Sequence, residues 1–416
     1  MPRTSADSIE GPRSWQAAIL TVILLSVGFG APLLVVVALR QMQTDLGTDR
    51  SVVAMASALV WMGNAIGGVL MGRVAVAIGM SRTAGIGVIA IAAGLALSSL
   101  GSVWAVYVGH GLLIGLLGLG ALYAPLTVFV SHWFDRRRGT ALALVASGQY
   151  VAGMIWPSAL EHGIAHFGWQ TTMLAFGGLV LATLPLVFFL RAPPEPRPVA
   201  HTIANKFASG ADHSNTVLGL PANLVMAILC IAGFLCCVPM ALPASHLVAF
   251  CGDIGIPASH GAAMLSVMLT CAFISRQVWG MVADRIGGLR TIIAGSAAQM
   301  LTLASFLLTR SEAALFLVAA AYGLGFSGLI PSYSVVIRDL YPSDEASWRI
   351  PTVLMFLMGG MAFGSWFGGK LFDIFHSYRM AFTVGVGLSA VHFLIVFVLA
   401  NRMARERRMM LMQAAE

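Results

Sequence analysis

Charged residues are scarce in this 416-residue sequence: they make up 10% of it, whereas apolar residues make up 58%. Soluble globular domains carry about a quarter of their residues as charged side chains. The composition therefore excludes an ordinary soluble domain. The formal net charge of +7 does not indicate a nucleic-acid-binding protein, because the basic residues fall in short clusters between apolar runs and form no continuous face.

The sequence also lacks the motifs of enzymes and of metal sites. It contains no His-Glu-x-x-His motif, no cluster of metal-ligating residues and no signature of a nucleophile with its base. The cysteines show no Cys-x-x-Cys spacing, which argues against a metal site and a disulfide framework; they are Cys230, Cys236, Cys237, Cys251 and Cys271. We therefore expect neither an enzyme nor a protein that holds a cofactor or a metal.

What the sequence does contain is a series of long apolar runs. A helix that crosses a bilayer needs about 20 mostly apolar residues. Twelve runs meet this requirement, at about residues 15–39, 52–72, 83–101, 104–130, 140–160, 169–190, 221–250, 258–283, 291–309, 313–337, 351–372 and 380–400. The sequence thus predicts an all-α polytopic membrane protein with twelve transmembrane helices.

One long polar stretch divides these runs into two sets of six. It begins at Arg191 with a proline-rich segment, residues 192–196, that cannot continue a helix. The predicted organisation is a cytoplasmic N-terminal segment (1–14), an N-terminal six-helix bundle (15–190), a cytoplasmic linker (191–220), a C-terminal six-helix bundle (221–400) and a basic cytoplasmic tail (401–416).

The placement of lysine and arginine predicts the orientation. With twelve spans and the N-terminus inside, about 18 of the 24 basic residues fall on the cytoplasmic side, as the positive-inside rule requires. Five fall on the outer side: Arg40, Arg50, Arg310, Lys370 and Arg379. We expect a multi-pass protein of the bacterial inner (plasma) membrane with both termini in the cytoplasm.

An internal repeat relates the two halves. The segment Gly72–Thr83 matches Gly280–Thr291 at seven of twelve positions, and each segment follows the second span of its half. Parallel repeats of six spans, with a binding site between them, are an architecture of transporters. The repeat therefore predicts two pseudo-symmetric bundles around a central site.

These repeated segments resemble the loop between the second and third helices of the major facilitator superfamily, which reads roughly Gly-x-x-x-Asp-Arg-x-Gly-x-x-Arg. The second copy fits this pattern at Gly280, Asp284, Arg285, Gly287 and Arg290. The resemblance extends over nearly the whole chain and implies the major facilitator fold. It also implies that the carboxylate of this loop latches neighbouring helices at the cytoplasmic face during each transport cycle; a simple loop whose charges only set the topology is the alternative.

The first copy departs from the pattern. It keeps Gly72, Gly79 and Arg82 but has Val76 in place of the acid and Ala77 in place of the base. We therefore expect the latch of the first half to be weakened or absent.

A narrower resemblance concerns the turn before the fifth helix. The segment Trp133–Ala141, together with Tyr123-Ala124-Pro125 ten residues upstream, is similar to monocarboxylate transporters and oxalate/formate antiporters. In that group, an arginine four residues before the loop glycine contacts the substrate carboxylate, which implies this role for Arg276. Many proton-coupled members also have an aspartate four residues before that arginine, where this chain has Ala272.

Arg276 is also unusual on physical grounds. It lies about two helical turns inside the predicted eighth span, where a charge costs at least a few kcal/mol, and no acidic residue lies at a comparable depth in any predicted span. An anionic substrate is its natural partner, because a guanidinium binds a carboxylate through two hydrogen bonds. The alternative is an arginine bonded to helix-end carbonyls or extended toward the cytoplasmic surface.

Five further polar residues within spans are candidate substrate contacts: Asn64, Tyr123, Gln149, Tyr322 and Tyr333. The tyrosine hydroxyls can donate to a carboxylate, and the two amides can bond a substrate. Tyrosines also serve as packing or interfacial residues, and amides also hold helices together.

Together these features predict a secondary transporter of a small organic anion, a mono- or dicarboxylate, that works by alternating access. Its partners would be that carboxylate, a proton or counter-anion, and the lipid bilayer, and we expect a monomer. An exporter of drug-like or other amphipathic compounds and a transporter-like nutrient receptor without flux remain as alternatives. The direction of flux and the coupling ion stay open.

Overall fold

The computed structural model describes residues 10–134, 137–190 and 216–413. We number its transmembrane helices α1 to α12. In the first half they are α1 (Pro12–Asp45), α2 (Arg50–Ile78), α3 (Met80–Ser98), α4 (Val103–Ser131), α5 (residues 138–167) and α6 (residues 168–189). In the second half they are α7 (Ala222–Asp253), α8 (Ala258–Ile286), α9 (Gly288–Leu308), α10 (Glu312–Leu340), α11 (Ser343–Phe375) and α12 (Tyr378–Gln413).

Eleven helical segments of the described chain are long and apolar enough to cross a membrane, and one of them accounts for two spans. This segment, Gly139–Phe189, has 51 residues, about twice the length that a bilayer requires. It is interrupted at Gly168, whose φ of +78° lies outside the helical region. The break separates α5 from α6, and the all-α polytopic fold with twelve spans is confirmed.

The predicted domain boundaries differ in detail from the ends of the observed helices. Helix α12 continues to Gln413, so most of the segment predicted as a basic tail is helical. Most of the predicted linker, residues 191–215, and the first nine residues lie outside the described chain. The end of the linker forms a two-stranded antiparallel hairpin, β1 (Thr216–Val217) with β2 (Leu220–Pro221).

Glycine allows the helices of the first bundle to approach closely. A Cβ atom on Gly67 of α2 would lie 2.1 Å from the carbonyl oxygen of Leu116 in α4, and one on Gly63 would lie 2.4 Å from that of Gly111. The part of α4 that faces them, Val108–Leu119, has π-helical hydrogen bonding. Close backbone contact of this kind holds helices together in lipid, where hydrophobic burial provides little driving force.

Most contacts between the described helices of the two bundles involve three pairs: α2 with α11, α5 with α8, and α1 with α7. We call the end of the molecule opposite the chain termini the distal end; it contains the starts of α2 and α12 and the ends of α7 and α11. There the backbones of α2 and α11 approach so closely that a Cβ on Gly369 would lie 2.8 Å from the Cα of Ser51. The bundles are therefore closed against each other at the distal end.

The repeated loops fold alike in the two halves. Gly79 and Gly287 both have positive φ, +89° and +83°, and each separates the second helix of its half from the third. Thr83 and Thr291 then donate their hydroxyl hydrogens to the carbonyl oxygens of these two glycines, at 2.9 and 2.8 Å. Only glycine adopts this backbone conformation without strain, which explains why the turn glycine is shared between copies that differ elsewhere.

Candidate substrate cavity

A central cavity lies between the two bundles. The volume of the cavity is about 140 Å³. Residues of α1, α2, α4 and α5 line it on one side, and residues of α7, α8, α10 and α11 line it on the other. Most of the wall is apolar, with Phe29 and Trp61 on one side and Met240, Met358 and Met361 on the other. A cavity that both halves build is the kind of site that alternating access requires.

Arg276 contributes the charge of this cavity. Among the lining residues that the structure describes, it alone is charged. Its guanidinium carbon lies 5.2 Å from the centre of the Tyr150 ring, which belongs to the other bundle. Within the described ranges, no carboxylate forms an ion pair with Arg276. The cavity therefore presents a half-buried cation whose partner among the described residues is Tyr150.

Three of the other predicted contacts lie on the same cavity: Asn64 of α2, Tyr123 of α4 and Gln149 of α5. All three come from the first bundle and face the bundle that carries Arg276. Tyr123 packs edge-on against Phe29, with ring centres 5.5 Å apart. Their contact with a substrate stays a prediction, and their position is compatible with it.

The structure does not bring Tyr322 and Tyr333 to the cavity. Both side chains are fully buried inside the second bundle. The Tyr322 hydroxyl donates to the carbonyl oxygen of Pro239 at 3.3 Å, and the Tyr333 hydroxyl lies 2.9 Å from Nε2 of His392. These hydroxyls already have partners, so we do not include the two tyrosines in the proposed site.

The predicted gate residues lie on the surface near the chain-terminal end. Arg82, Asp284, Arg285 and Arg290 are all exposed. The amide of Gly288, at the start of α9, donates to the carboxylate of Asp339 in α10 at 3.3 Å. The carboxylate that bonds this helix start is therefore Asp339 and not Asp284. A Cβ atom on Gly72 or on Gly280 would meet nothing within 4 Å, so these two glycines are not needed for packing here.

In the first copy of the loop, Val76 takes the place of the acid and is 90% exposed. The gating role of both copies stays a prediction.

Two features of the interface between the bundles were not among the predicted site residues. One is Tyr150, which follows Gln149 directly but reads as an ordinary tyrosine of an apolar helix. The other is a set of charged residues at the distal end: Arg50, Asp253 and Asp373. Each of these three residues lies within a few residues of the end of a predicted span, on the same side of the membrane. That shared position is a signal in the sequence, but no local sequence pattern indicates that the three residues pair across the two halves.

Replacing Tyr150 tests whether its ring holds the Arg276 guanidinium. A cation–π contact contributes about 0.5–2 kcal/mol, so we expect Tyr150→Leu to weaken binding of the predicted anionic substrate by roughly 2- to 30-fold. Tyr150→Phe keeps the ring and should bind within about 2-fold of the unmodified protein. The measurement is the dissociation constant of an anion that stabilises the purified protein. Equal losses in both variants would show that the hydroxyl, not the ring, matters.

The chain resembles known transporters in sequence and in fold. It is 24% identical to the MFS-type transporter pynF of Aspergillus niger over 85% of this chain and 81% of the relative. It is 24% identical to monocarboxylate transporter 3 of Rattus norvegicus over 92% of this chain and 78% of the relative. A crystal structure of the nucleoside transporter NupG matches 93% of this chain and 99% of its own with a TM-score of 0.74 and 15% identity, a likeness of fold alone.

A match to a family model identifies the family of the chain. Residues 18–248 and 228–409 match the model of the Major Facilitator Superfamily, and together these two stretches include nearly all of the described helices. The match agrees with the twelve spans, the repeated glycine turns and the cavity between the halves. The chain therefore belongs to the Major Facilitator Superfamily and is a membrane transporter, not an enzyme.

Proposed function

We propose that this secondary transporter carries a small organic anion whose carboxylate binds Arg276. The observation that carries the proposal is the charge balance of the cavity: one cation and, among the described lining residues, no anion. A charge that is partly removed from water is costly unless a counter-ion compensates it. A carboxylate provides that counter-ion and fits the two-pronged hydrogen-bonding geometry of a guanidinium.

The rest of the wall supports a substrate with one carboxylate and an apolar body. The first bundle contributes Leu33, Val36 and Phe29 to the cavity wall, and the second bundle adds Met358 and Met361. A second carboxylate would have no cation of its own and could bond only uncharged side chains such as Asn64 and Gln149. Of the two classes that the sequence left open, a monocarboxylate therefore fits better than a dicarboxylate.

A matched series of acids tests this preference. Straight-chain monocarboxylates should bind more tightly by about 0.8 kcal/mol, or roughly 4-fold, for each added CH₂ until the cavity is full. A dicarboxylate of equal length should bind about 10- to 100-fold more weakly, because the described wall offers its second charge only uncharged partners such as Asn64 and Gln149. Thermal-shift titration of the purified protein measures both effects. Stronger stabilisation by dicarboxylates than by their monocarboxylate counterparts would contradict the proposal.

The apolar wall also favours a second candidate, an exporter of larger amphipathic compounds. Such a compound would occupy the methionine-lined side, and its binding would not depend on the charge of Arg276. Uptake into proteoliposomes, compared for a monocarboxylate and an uncharged amphipathic compound, distinguishes the two. It also distinguishes either carrier from a receptor, which binds without flux.

The helix that carries Arg276 has no acid one turn earlier. Ala272 occupies that position and is fully buried. Proton coupling through a carboxylate at this place is therefore not available to this chain, and any proton-sensitive group of the transport cycle must lie elsewhere.

A further inference from the structure

Two histidines lie on consecutive turns near the distal end of α5. His162 and His166 are four residues apart, and both side chains are exposed. Residues at this spacing lie on the same face of a helix. The centres of the two imidazole rings are 4.2 Å apart. Neither histidine lines the central cavity, so the proposed substrate site does not use this pair.

A hydrogen bond orients one of the two rings. Nδ1 of His166 lies 2.8 Å from the carbonyl oxygen of His162. Because a carbonyl oxygen only accepts, Nδ1 carries the hydrogen, and Nε2 of the neutral imidazole carries the free lone pair. Histidines that bind metal ions commonly donate their other ring nitrogen to a backbone carbonyl in this way. His166 therefore offers Nε2 as a ligand on the face of the helix that also carries His162.

We propose that the His162–His166 pair binds a divalent transition-metal ion of the class of Cu²⁺, Ni²⁺ and Zn²⁺. Imidazole nitrogens suit these ions, whereas Mg²⁺ and Ca²⁺ prefer oxygen ligands. An ion bound at 2.0–2.1 Å by both rings needs the two nitrogens about 3 Å apart. Exposed rings whose centres are 4.2 Å apart reach this separation by small rotations of their side chains.

The ion has two protein ligands. Among the described residues, no group of three or more histidine, cysteine or acidic side chains could hold a metal ion. Water or a ligand from solution therefore fills the remaining positions, as in metal sites that keep open positions for exchange. The site binds its ion reversibly and does not enclose it.

The charges near the pair favour a cation. Glu161, which precedes His162 in the chain, lines a crevice on the adjacent side of α5. The same crevice is lined by a second carboxylate, Asp45 of α1, and by one basic residue, Arg40. The distribution of basic residues predicts that the distal side is external, so an ion reaches the exposed pair without entering the central cavity.

The bound ion stabilises the end of α5. It joins the last two turns of this helix just before the break at Gly168, whose φ is +78°. A ligand that binds only the helical arrangement of these turns stabilises that arrangement. One turn before the pair, the hydroxyl oxygen of Ser158 lies 3.5 Å from that of Ser266 in α8. The stabilised segment therefore begins next to the contact between the two bundles.

Titration of the full-length protein with Cu²⁺ tests the proposal. The protein is purified in detergent without a polyhistidine tag, and the copper EPR spectrum is recorded with the dissociation constant. We expect splitting from two directly bound nitrogens in the unmodified protein. His162→Ala and His166→Ala should each weaken binding by about 100-fold or more, because the second ligand no longer binds within the same molecule. Mg²⁺ should not compete.

A variant that exchanges two neighbouring residues tests the spacing. His166→Phe/Phe167→His keeps the composition but places the histidines five residues apart, on different faces of the helix, so it should bind as weakly as the single variants. Hydrogen exchange should slow at residues 162–167 when Zn²⁺ is added to the unmodified protein, and it should not change in the exchanged variant.

Two matched controls separate this site from others. His260 is also exposed at the distal end, and its Nδ1 lies 2.8 Å from the carboxylate of Glu312; His260→Ala should bind Cu²⁺ as the unmodified protein does. Arg276→Ala should also bind Cu²⁺ normally, because the metal site does not depend on the proposed substrate site. The two proposals therefore fail separately.

Either of two results would overturn the proposal. One is Cu²⁺ that binds the unmodified protein and the exchanged variant with equal affinity. The other is an unmodified protein that binds no Cu²⁺ or shows splitting from a single nitrogen. All substitutions in the pair change exposed side chains, and thermal unfolding without metal verifies that each variant is folded.

Discussion

Replacing Arg276 with alanine should abolish detectable binding of the proposed carboxylate substrate. Removal of one partner of a partly buried, hydrogen-bonded charge pair costs about 2–5 kcal/mol, a loss of roughly 30-fold to several thousand-fold in affinity. The expected loss is near the upper end of this range, because the described lining residues offer no second cation that could replace Arg276. Thermal stabilisation and proteoliposome uptake should both fall together.

Arg276→Lys separates the charge from the geometry. Lysine keeps the positive charge but loses the paired donors of the guanidinium, so binding should be weakened by about 10-fold rather than abolished. The matched control is Arg310→Ala, an exposed arginine of the same bundle at its distal end, which should bind normally. Binding that is unchanged in Arg276→Ala would remove the basis of the anion proposal.

The second large effect concerns Gly67, and we expect Gly67→Ala to destabilise the first bundle. The added methyl group would lie 2.1 Å from the carbonyl oxygen of Leu116 and 2.9 Å from its Cα, so the backbone of α4 would have to move. Overpacking of this kind costs about 1–3 kcal/mol and sometimes more. The midpoint of thermal unfolding in detergent should fall by several degrees, and the yield of folded protein should decrease.

Gly72→Ala is the control on the same helix. A Cβ atom there meets nothing within 4 Å, and alanine favours a helix over glycine by about 1 kcal/mol. This variant should be as stable as the unmodified protein or slightly more stable. If the two variants unfold at the same temperature, close backbone packing of α2 on α4 does not limit the stability of the bundle.

The fold was largely predictable because its main determinant is local. Each span is a run of apolar residues, and the twelve runs agree with the helices to within a few residues at most ends. The largest exception has a local cause. Helix α12 continues beyond its apolar part to Gln413, because the basic residues that follow also favour a helix.

The site was predictable only in part. Arg276 was found from the cost of a charge in a span, a signal that needs no tertiary information. No comparable signal in the sequence indicates on which side of α10 Tyr322 and Tyr333 lie. Lipid and the protein interior are both apolar, so the sequence of a spanning helix does not distinguish the face toward a cavity from the face toward its own bundle.

The contacts of Arg50 could not be predicted for a different reason. Its carboxylate partners are 203 and 323 residues away in the sequence. Each of the three residues by itself reads as an ordinary charge at the end of a span. Only the arrangement of the two bundles brings them together.

The start of α2 is capped by Asp373 of the opposite bundle, and this cap has a consequence for the state in which the distal end is open. When the bundles separate at the distal end, the amides of Arg50 and Ser51 lose the carboxylate of Asp373; in the closed structure the Asp49 side chain makes no bond to them. A helix start without a cap frays by about one turn. We therefore expect faster hydrogen exchange at these amides in the open state. On this expectation, alternating access would change the length of a helix as well as the angle between the two bundles.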